Sequence, residues 1–282
     1  MNKIREIPAS LITETVKKLF IEANIILEED LLTAIKISCG SEKSDLGRDV
    51  LQKVLENAEM ARKKQLPLCQ DTGLAIIFIE MGQDVHIIKG LFNDAVQEGV
   101  RQAYQDGYLR KSVCNPLTRK NTGDNTPALV YVDIVAGDRI KIAAMPKGGG
   151  SENMSSVTML VPASGIDGIK KLVLEKVQTA GSNPCPPLIV GVGIGGSIEM
   201  SAIMAKKSLL RRIGLHNAEE AIADMERELL SAINDLGIGP QGYGGNTTAL
   251  AVHVEMMPCH IASLPVAVNI QCHVARHKEA LV

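Results

Sequence analysis

Apolar residues in the first quarter of the chain recur at helical intervals. Ile12, Val16, Leu19, Phe20 and Ala23 share one face, with Ser10 placed to cap the turn before them. A short helix follows over about Leu31 to Cys39, ending at Gly40. A longer one runs from about Asp45 to Lys64, with Leu46, Val50, Val54, Leu55 and Ala58 on one side. Cys39 continues an apolar stripe and reads as a core thiol. This opening is a helical lead-in without strands. The pattern then shortens to the strand period. Leu74–Glu80 and Val85–Ile88 flank Met81-Gly82-Gln83-Asp84, and Ala128–Val135 and Arg139–Ala144 flank Ala136-Gly137-Asp138, so both pairs read as hairpins. Helical stretches return at about Phe92–Tyr108, Gly165–Gln178 and Ala218–Leu236. Strand runs lie at Leu188–Val192, Thr248–Met256 and Ile261–Ile270, the first leading through a glycine-rich turn into a helix to Leu210. Hairpins mixed with βα units predict an α/β (mixed α+β) fold, a mixed sheet with helices packed around it.

Composition narrows the class. With 45% hydrophobic residues in 282, a sizeable core is expected and disorder is not. A net charge of -2 and aromatics at 2%, with no Trp, supply neither a basic field nor stacking platforms for nucleic acid. No apolar run reaches membrane-spanning length, and charges interrupt Met1 to Phe20, so no signal peptide is expected and the default compartment is the cytoplasm. The six cysteines form no C-x-x-C pair. In a reducing compartment, metal ligation, catalysis or burial are the readings left for them.

Candidate chemistry gathers in loops. Cys69-Gln70-Asp71-Thr72-Gly73 joins a helix to an apolar strand and displays a thiol, an amide, a carboxylate and a hydroxyl in succession. Asn183-Pro184-Cys185-Pro186-Pro187 braces a thiol with three prolines, which forbid helix there. Cys272 follows a strand in Gln271-Cys272-His273. Each of these thiols also has a bland reading as a turn or a strand-end residue. If the three converge, they suit a soft metal centre. Three Cys on a [4Fe–4S] cluster leave one iron open to act as a Lewis acid, and zinc with three Cys is the competing metal reading. Lys147-Gly148-Gly149-Gly150-Ser151-Glu152-Asn153 is rich in backbone N–H groups that can grip a carboxylate. Arg110 could clamp one in bidentate fashion, or be a solvated helix-end charge. His260, at a strand start, could tune a carboxylate or be structural. Gln241 to Thr248 forms a third glycine-rich loop. Gly191-Val192-Gly193-Ile194-Gly195-Gly196 matches the dinucleotide fingerprint formally, but the strand and acidic residue required about twenty positions later are replaced by helix. An anion-binding or close-packing turn is the preferred reading there. An NAD-dependent oxidoreductase and a zinc-stapled interaction protein are the rivals from other classes.

The motifs together carry a resemblance. Cys-Gln-Asp-Thr-Gly at 69–73, Leu-Arg at 109–110, Lys-Gly-Gly-Gly-Ser at 147–151, Asn-Pro-Cys-Pro-Pro at 183–187 and the glycine run at 191–196 are among them. So are Gly-Asn-Thr-Thr at 245–248, His-x-Ala-Ser-x-Pro-Val at 260–266 and Gln-Cys at 271–272. With these the sequence resembles the α subunit of the two-subunit iron–sulfur hydro-lyases, the family of class I fumarate hydratase and L-tartrate dehydratase. The resemblance implies one α-subunit domain over 1–282, open to division into two subdomains enclosing the cluster. It implies a [4Fe–4S] cluster on Cys69, Cys185 and Cys272 as metal ligands. Asp71 would protonate the leaving hydroxyl, with His260 supporting the acid or the substrate. Gln70, Arg110 and the Gly148 to Gly150 loop, Gly149 foremost, would hold the dicarboxylate. Single-chain relatives carry a second domain after the third cysteine that supplies the base and further cationic clamps. Here ten residues follow Cys272, so the resemblance implies a separate β subunit and an α2β2-type heteromer. Fumarate hydration to malate is the expected reaction, with L-tartrate dehydration as the alternative.

Overall fold

The computed structural model describes residues 4–282. By contact the chain falls into two compact units, one of residues 4–27, 58–149 and 276–282, the other of residues 28–57 and 150–275. The elements in order are β1 (Arg5–Pro8), α1 (Ala9–Ile25), α2 (Glu29–Ser41), α3 (Asp45–Lys64), β2 (Leu74–Gly82), β3 (Val85–Ile88), α4 (Phe92–Asp106), β4 (Leu129–Val135) and β5 (Ile140–Lys147). They continue with α5 (Gly149–Glu152), β6 (Ser156–Leu160), α6 (Gly165–Ala180), β7 (Leu188–Gly195), α7 (Ile198–Lys207), α8 (Glu220–Asp235), β8 (Ala249–Met257), β9 (Leu264–Gln271) and β10 (Lys278–Leu281). The α/β class is as expected. Among the described residues, no helix is long and apolar enough to cross a membrane.

The first unit is built on a sheet of order β10-β5-β2-β4. Its central strand β2 runs parallel to β4 and antiparallel to β5. Ile77 and Ile79 project from it into a core shared with Ile12, Val16 and Phe20 of α1 and Val96, Val100 and Tyr104 of α4. Neither predicted hairpin forms. β3 pairs with β1 in a separate parallel ribbon, and β2 lies between β4 and β5. The lead-in is therefore not purely helical, because β1 precedes α1. Helix α1 begins at Ala9, so Ser10 lies inside it rather than capping it.

The second unit is built on a sheet of order β6-β9-β7-β8, with β7 parallel to β8 and antiparallel to β9. Leu188, Val190, Val192 and Ile194 of β7 face a core with Val173 and Val177 of α6 and Leu229 and Ile233 of α8. The alternate positions, Gly191 and Gly193, face α7. A Cβ on either would lie 2.0 Å from a backbone carbonyl of that helix, of Ala205 or Ser201. The glycine-rich run is thus mainly a strand stripped of side chains so that a helix can press on it, not a phosphate-binding turn. This removes the feature on which the NAD reading stood. Two further expectations shift. α2 passes through Gly40 to Ser41, and Cys39 is half-buried with its thiol 3.7 Å from the Arg48 carbonyl. On α3 the buried apolar side chains are those of Leu51, Ala58 and Ala61, while Leu46 is 51% exposed.

Candidate active site

In the first unit, the ends of three strands bring the chemistry together. Residues 69–73 lead into β2, Gly148 and Gly149 follow β5, and Arg276 precedes β10. Leu74 pairs with Lys147 and Lys278 with Ala144, so the three connections emerge side by side. Gly73 is needed here. Its φ is +79°, and a Cβ would stand 2.7 Å from the Lys147 backbone nitrogen, so only glycine lets the two chains close.

The Asp71 carboxylate is held at both oxygens. Gly73 N–H donates to Oδ1 at 3.0 Å, and Gly149 N–H donates to Oδ2 at 2.7 Å. The glycine loop expected to grip a substrate carboxylate therefore grips a carboxylate of the protein itself. Cys69 Sγ accepts the Asp71 N–H at 3.4 Å and lies 3.4 Å from Gln70 Oε1. Gln70 is exposed beside it. Thr72 Oγ1 donates to the Arg110 carbonyl at 2.8 Å, which ties the Arg110 segment to the same loop while its side chain stays exposed.

Two groups that the sequence reading missed support this loop from below. The buried Tyr104 hydroxyl lies 2.8 Å from the Thr72 carbonyl and 2.9 Å from that of Gly73, to which it can donate. Burial raises its pKa well above the ordinary phenol value; the Arg276 charge opposes the shift and the Asp71 charge adds to it. Arg276 donates to the Asp71 carbonyl through Nη2. The pattern of α4 shows Tyr104 as a core residue but not what its hydroxyl reaches. Nothing in the local sequence around Arg276 marks it as buried.

In the second unit, the Cys185 and Cys272 segments meet. His273 N–H donates to the Cys185 carbonyl at 3.3 Å, and its Nδ1 lies 3.0 Å from the same oxygen. Gln241 Nε2 donates to the Pro186 carbonyl at 2.7 Å and lies 3.0 Å from His273 Nδ1. Gln241, from the third glycine-rich loop, therefore joins the two cysteine segments. Cys185 is exposed with φ at +57°, and Cys272 is half-buried. Ser151 Oγ donates to Gln271 Oε1 at 3.2 Å.

His260 lies elsewhere in this unit. It is exposed, its Nδ1 accepts the Ala262 N–H at 3.1 Å, and it lines a largely apolar cavity of 460 Å³ with Ile194, Met256 and Leu264. The whole of β9 separates it from Cys272, roughly 26 Å at the usual rise of a strand. The structure therefore does not bring His260 to the Cys185–Cys272 pair.

As donors, the three thiols suit an iron–sulfur group. None of the six cysteines is in a disulfide, the three lie on loops, and Cys69 already accepts a backbone N–H. Among the described residues, no group of three or more His, Cys, Asp or Glu side chains stands close enough together to hold a metal ion.

Comparison with known proteins gives the chain its family. The family model described as fumarate hydratase (Fumerase) matches residues 13–281. A Methanocaldococcus jannaschii protein provisionally named L(+)-tartrate dehydratase subunit alpha is 44% identical over 269 residues, covering 93% of this chain and 94% of its own. The L(+)-tartrate dehydratase subunit alpha of Escherichia coli K12 is 30% identical over 275 residues, covering 96% of this chain and 90% of its own. The protein of that name from Escherichia coli UTI89 is 31% identical over 265 residues, covering 93% and 87%. With a match that spans nearly its whole length, the chain belongs to the fumarate hydratase (Fumerase) family and is a hydro-lyase.

Proposed function

We propose that this chain is the α subunit of an L(+)-tartrate dehydratase. It would remove water from a four-carbon 2-hydroxy dicarboxylate together with a β subunit that supplies the general base. The observation that carries the substrate is the name shared by the relatives, matched over about nine-tenths of their lengths or more. That shared name favours tartrate over the fumarate expected from the motifs.

Cys69, Cys185 and Cys272 are the thiolates that would hold a [4Fe–4S] cluster, which when bound supplies a Lewis acid for the substrate oxygens. The remaining work falls to side chains and backbone. Hydroxide is a poor leaving group, so a proton must reach it as the C–O bond breaks. Asp71 is the proposed donor. Its carboxyl is fixed at two points, at 3.0 and 2.7 Å, so little orientation has to be gained during the reaction. Gln70, next to Asp71 in the chain, and Arg110, whose carbonyl accepts the Thr72 hydroxyl, are the proposed holders of a substrate carboxylate, the guanidinium in bidentate fashion. The Gly149 N–H acts in this proposal by aiming the acid rather than by binding substrate. His260 is kept in this proposal as the expected support for the acid or the substrate, although it precedes β9 while Cys272 follows it.

The test is a substrate comparison with the α and β chains co-expressed and purified without oxygen. A kcat/KM at least tenfold higher for L(+)-tartrate than for malate or fumarate is expected. Faster hydration of fumarate would return the assignment to fumarate hydratase.

A further inference from the structure

Arg276 belongs to none of the motifs above, yet it is 2% exposed. Its Nη2 donates to the Asp71 carbonyl. Its Nε and Nη1 are buried with no hydrogen-bond partner, and among the described residues no carboxylate is paired with it. A guanidinium removed from water without a counter-charge is costly, on the order of several kcal/mol. A charge needed only for packing could be replaced by an apolar side chain of similar volume at no loss. The surroundings point to another use. A Cβ on Gly148 would lie 3.4 Å from Asp71 Oδ2 and 3.9 Å from Arg276 Nη2, so the carboxylate and the guanidinium flank the same glycine. The charges of Arg276 and Asp71 act in opposite senses on the Tyr104 phenol beneath them.

We propose that Arg276 is a positioning residue for the hydro-lyase reaction, clamping the Asp71 main chain so that the carboxyl stays on the Gly149 N–H. The proposal rests on the reading of Asp71 as the proton donor. It explains why β10 returns to β5: that pairing carries the guanidinium to the strand end where Asp71 sits.

The test uses Arg276→Met, Arg276→Lys, Asp71→Asn and the double variant Asp71→Asn/Arg276→Met, all in the co-expressed α/β enzyme. Arg276→Met should lower kcat by 10- to 100-fold with KM within threefold of the parent, because an acid held out of place harms the transition state more than substrate binding. Arg276→Lys should recover part of that loss. The double variant should be no slower than Asp71→Asn alone, since a residue acting through Asp71 has nothing left to act on. Thermal unfolding adds a measurement that needs no turnover: Arg276→Met should melt at the parental temperature or above it. Additive losses in the double variant, a kcat within threefold of the parent, or a melting temperature more than about 5 °C below it would each overturn the proposal. A parent enzyme that dehydrates no 2-hydroxy dicarboxylate would overturn the functional reading instead, and the melting comparison would still decide whether Arg276 serves stability.

Discussion

Replacing Asp71 by Asn changes one atom and separates the two things the carboxylate does. As a carboxylate it accepts one backbone N–H at each oxygen, from Gly73 and from Gly149. Asn has one oxygen. If that oxygen keeps the Gly73 bond, which closes a turn within the loop, the amide NH2 faces the Gly149 N–H, donor against donor. One hydrogen bond is lost and one N–H is left short of a partner, a cost of about 2 kcal/mol. For a chain of this size that corresponds to a fall in melting temperature of roughly 4–8 °C. The enzyme stays folded at 25 °C, so lost folded protein cannot account for lost rate. The chemical loss is larger. Removing a positioned general acid lowers turnover by about 10²–10⁴-fold, or roughly 3–5 kcal/mol in barrier. The assay is kcat for dehydration at 25 °C, run beside thermal unfolding and iron content. A variant that melts a few degrees lower, keeps its iron and turns over at least 100-fold more slowly fits the account. Turnover within tenfold of the parent would remove Asp71 from the reaction.

Tyr104→Phe removes the buried hydroxyl shared by the Thr72 and Gly73 carbonyls; it should cost about 1–2 kcal/mol, and an unchanged melting temperature would show that the loop does not lean on it. Gly193→Ala would drive a Cβ to within 2.0 Å of the Ser201 carbonyl, so a loss of about 2–3 kcal/mol in urea-measured stability is expected as α7 is forced away; a loss under about 0.5 kcal/mol would contradict the close packing. His253 gives the pH dependence. Burial, reinforced by the nearby Arg211 charge, lowers its pKa from 6.5 to about 4. The folded value lies below the unfolded one, so the stabilisation is present above about pH 6.5 and is lost as pH falls toward 4. Between pH 7 and pH 5 the unfolding free energy should drop by about 2 kcal/mol from this residue. In His253→Gln that part of the drop should vanish; an equal drop in parent and variant would refute it.

Local pattern was enough to locate most elements and too little to pair them. The helix over Asp45–Lys64 and the strand from Leu74 have the starts that periodicity predicts, because each buries a continuous face. The two hairpins failed for one reason. A short turn between strands suggests that they are neighbours, but here the central position beside β5 went to β2, whose uninterrupted apolar run suits burial on both faces. β1 and β10 were invisible because Arg-Glu-Ile-Pro and Lys-Glu-Ala-Leu carry almost no apolar alternation, and β6, Ser-Val-Thr-Met-Leu, alternates over only five residues. Gly40 failed to stop α2 because one glycine costs a helix only about 1 kcal/mol. The same division runs through the site. Cys69 to Gly73 and the Gly148–Gly149 loop were legible as polar groups displayed at strand ends, and the structure joins them. Arg276 was not, because a lone arginine after the last long strand reads as a surface charge. Only the β10–β5 pairing, a contact with no local signature, explains its burial. Gln241 shows the converse: the glycines around it drew attention, while the amide joining Pro186 to His273 did not.

The account stands or falls on Cys69, Cys185 and Cys272 acting as one ligand set. The direct measurement is iron and acid-labile sulfide per chain in enzyme purified without oxygen, for single Cys→Ser variants at 39, 69, 114, 185 and 272. Cys69→Ser, Cys185→Ser and Cys272→Ser should each lose most of both, while Cys39→Ser and Cys114→Ser keep the parental content. A full complement in Cys69→Ser, or an equal loss in Cys114→Ser, would contradict it.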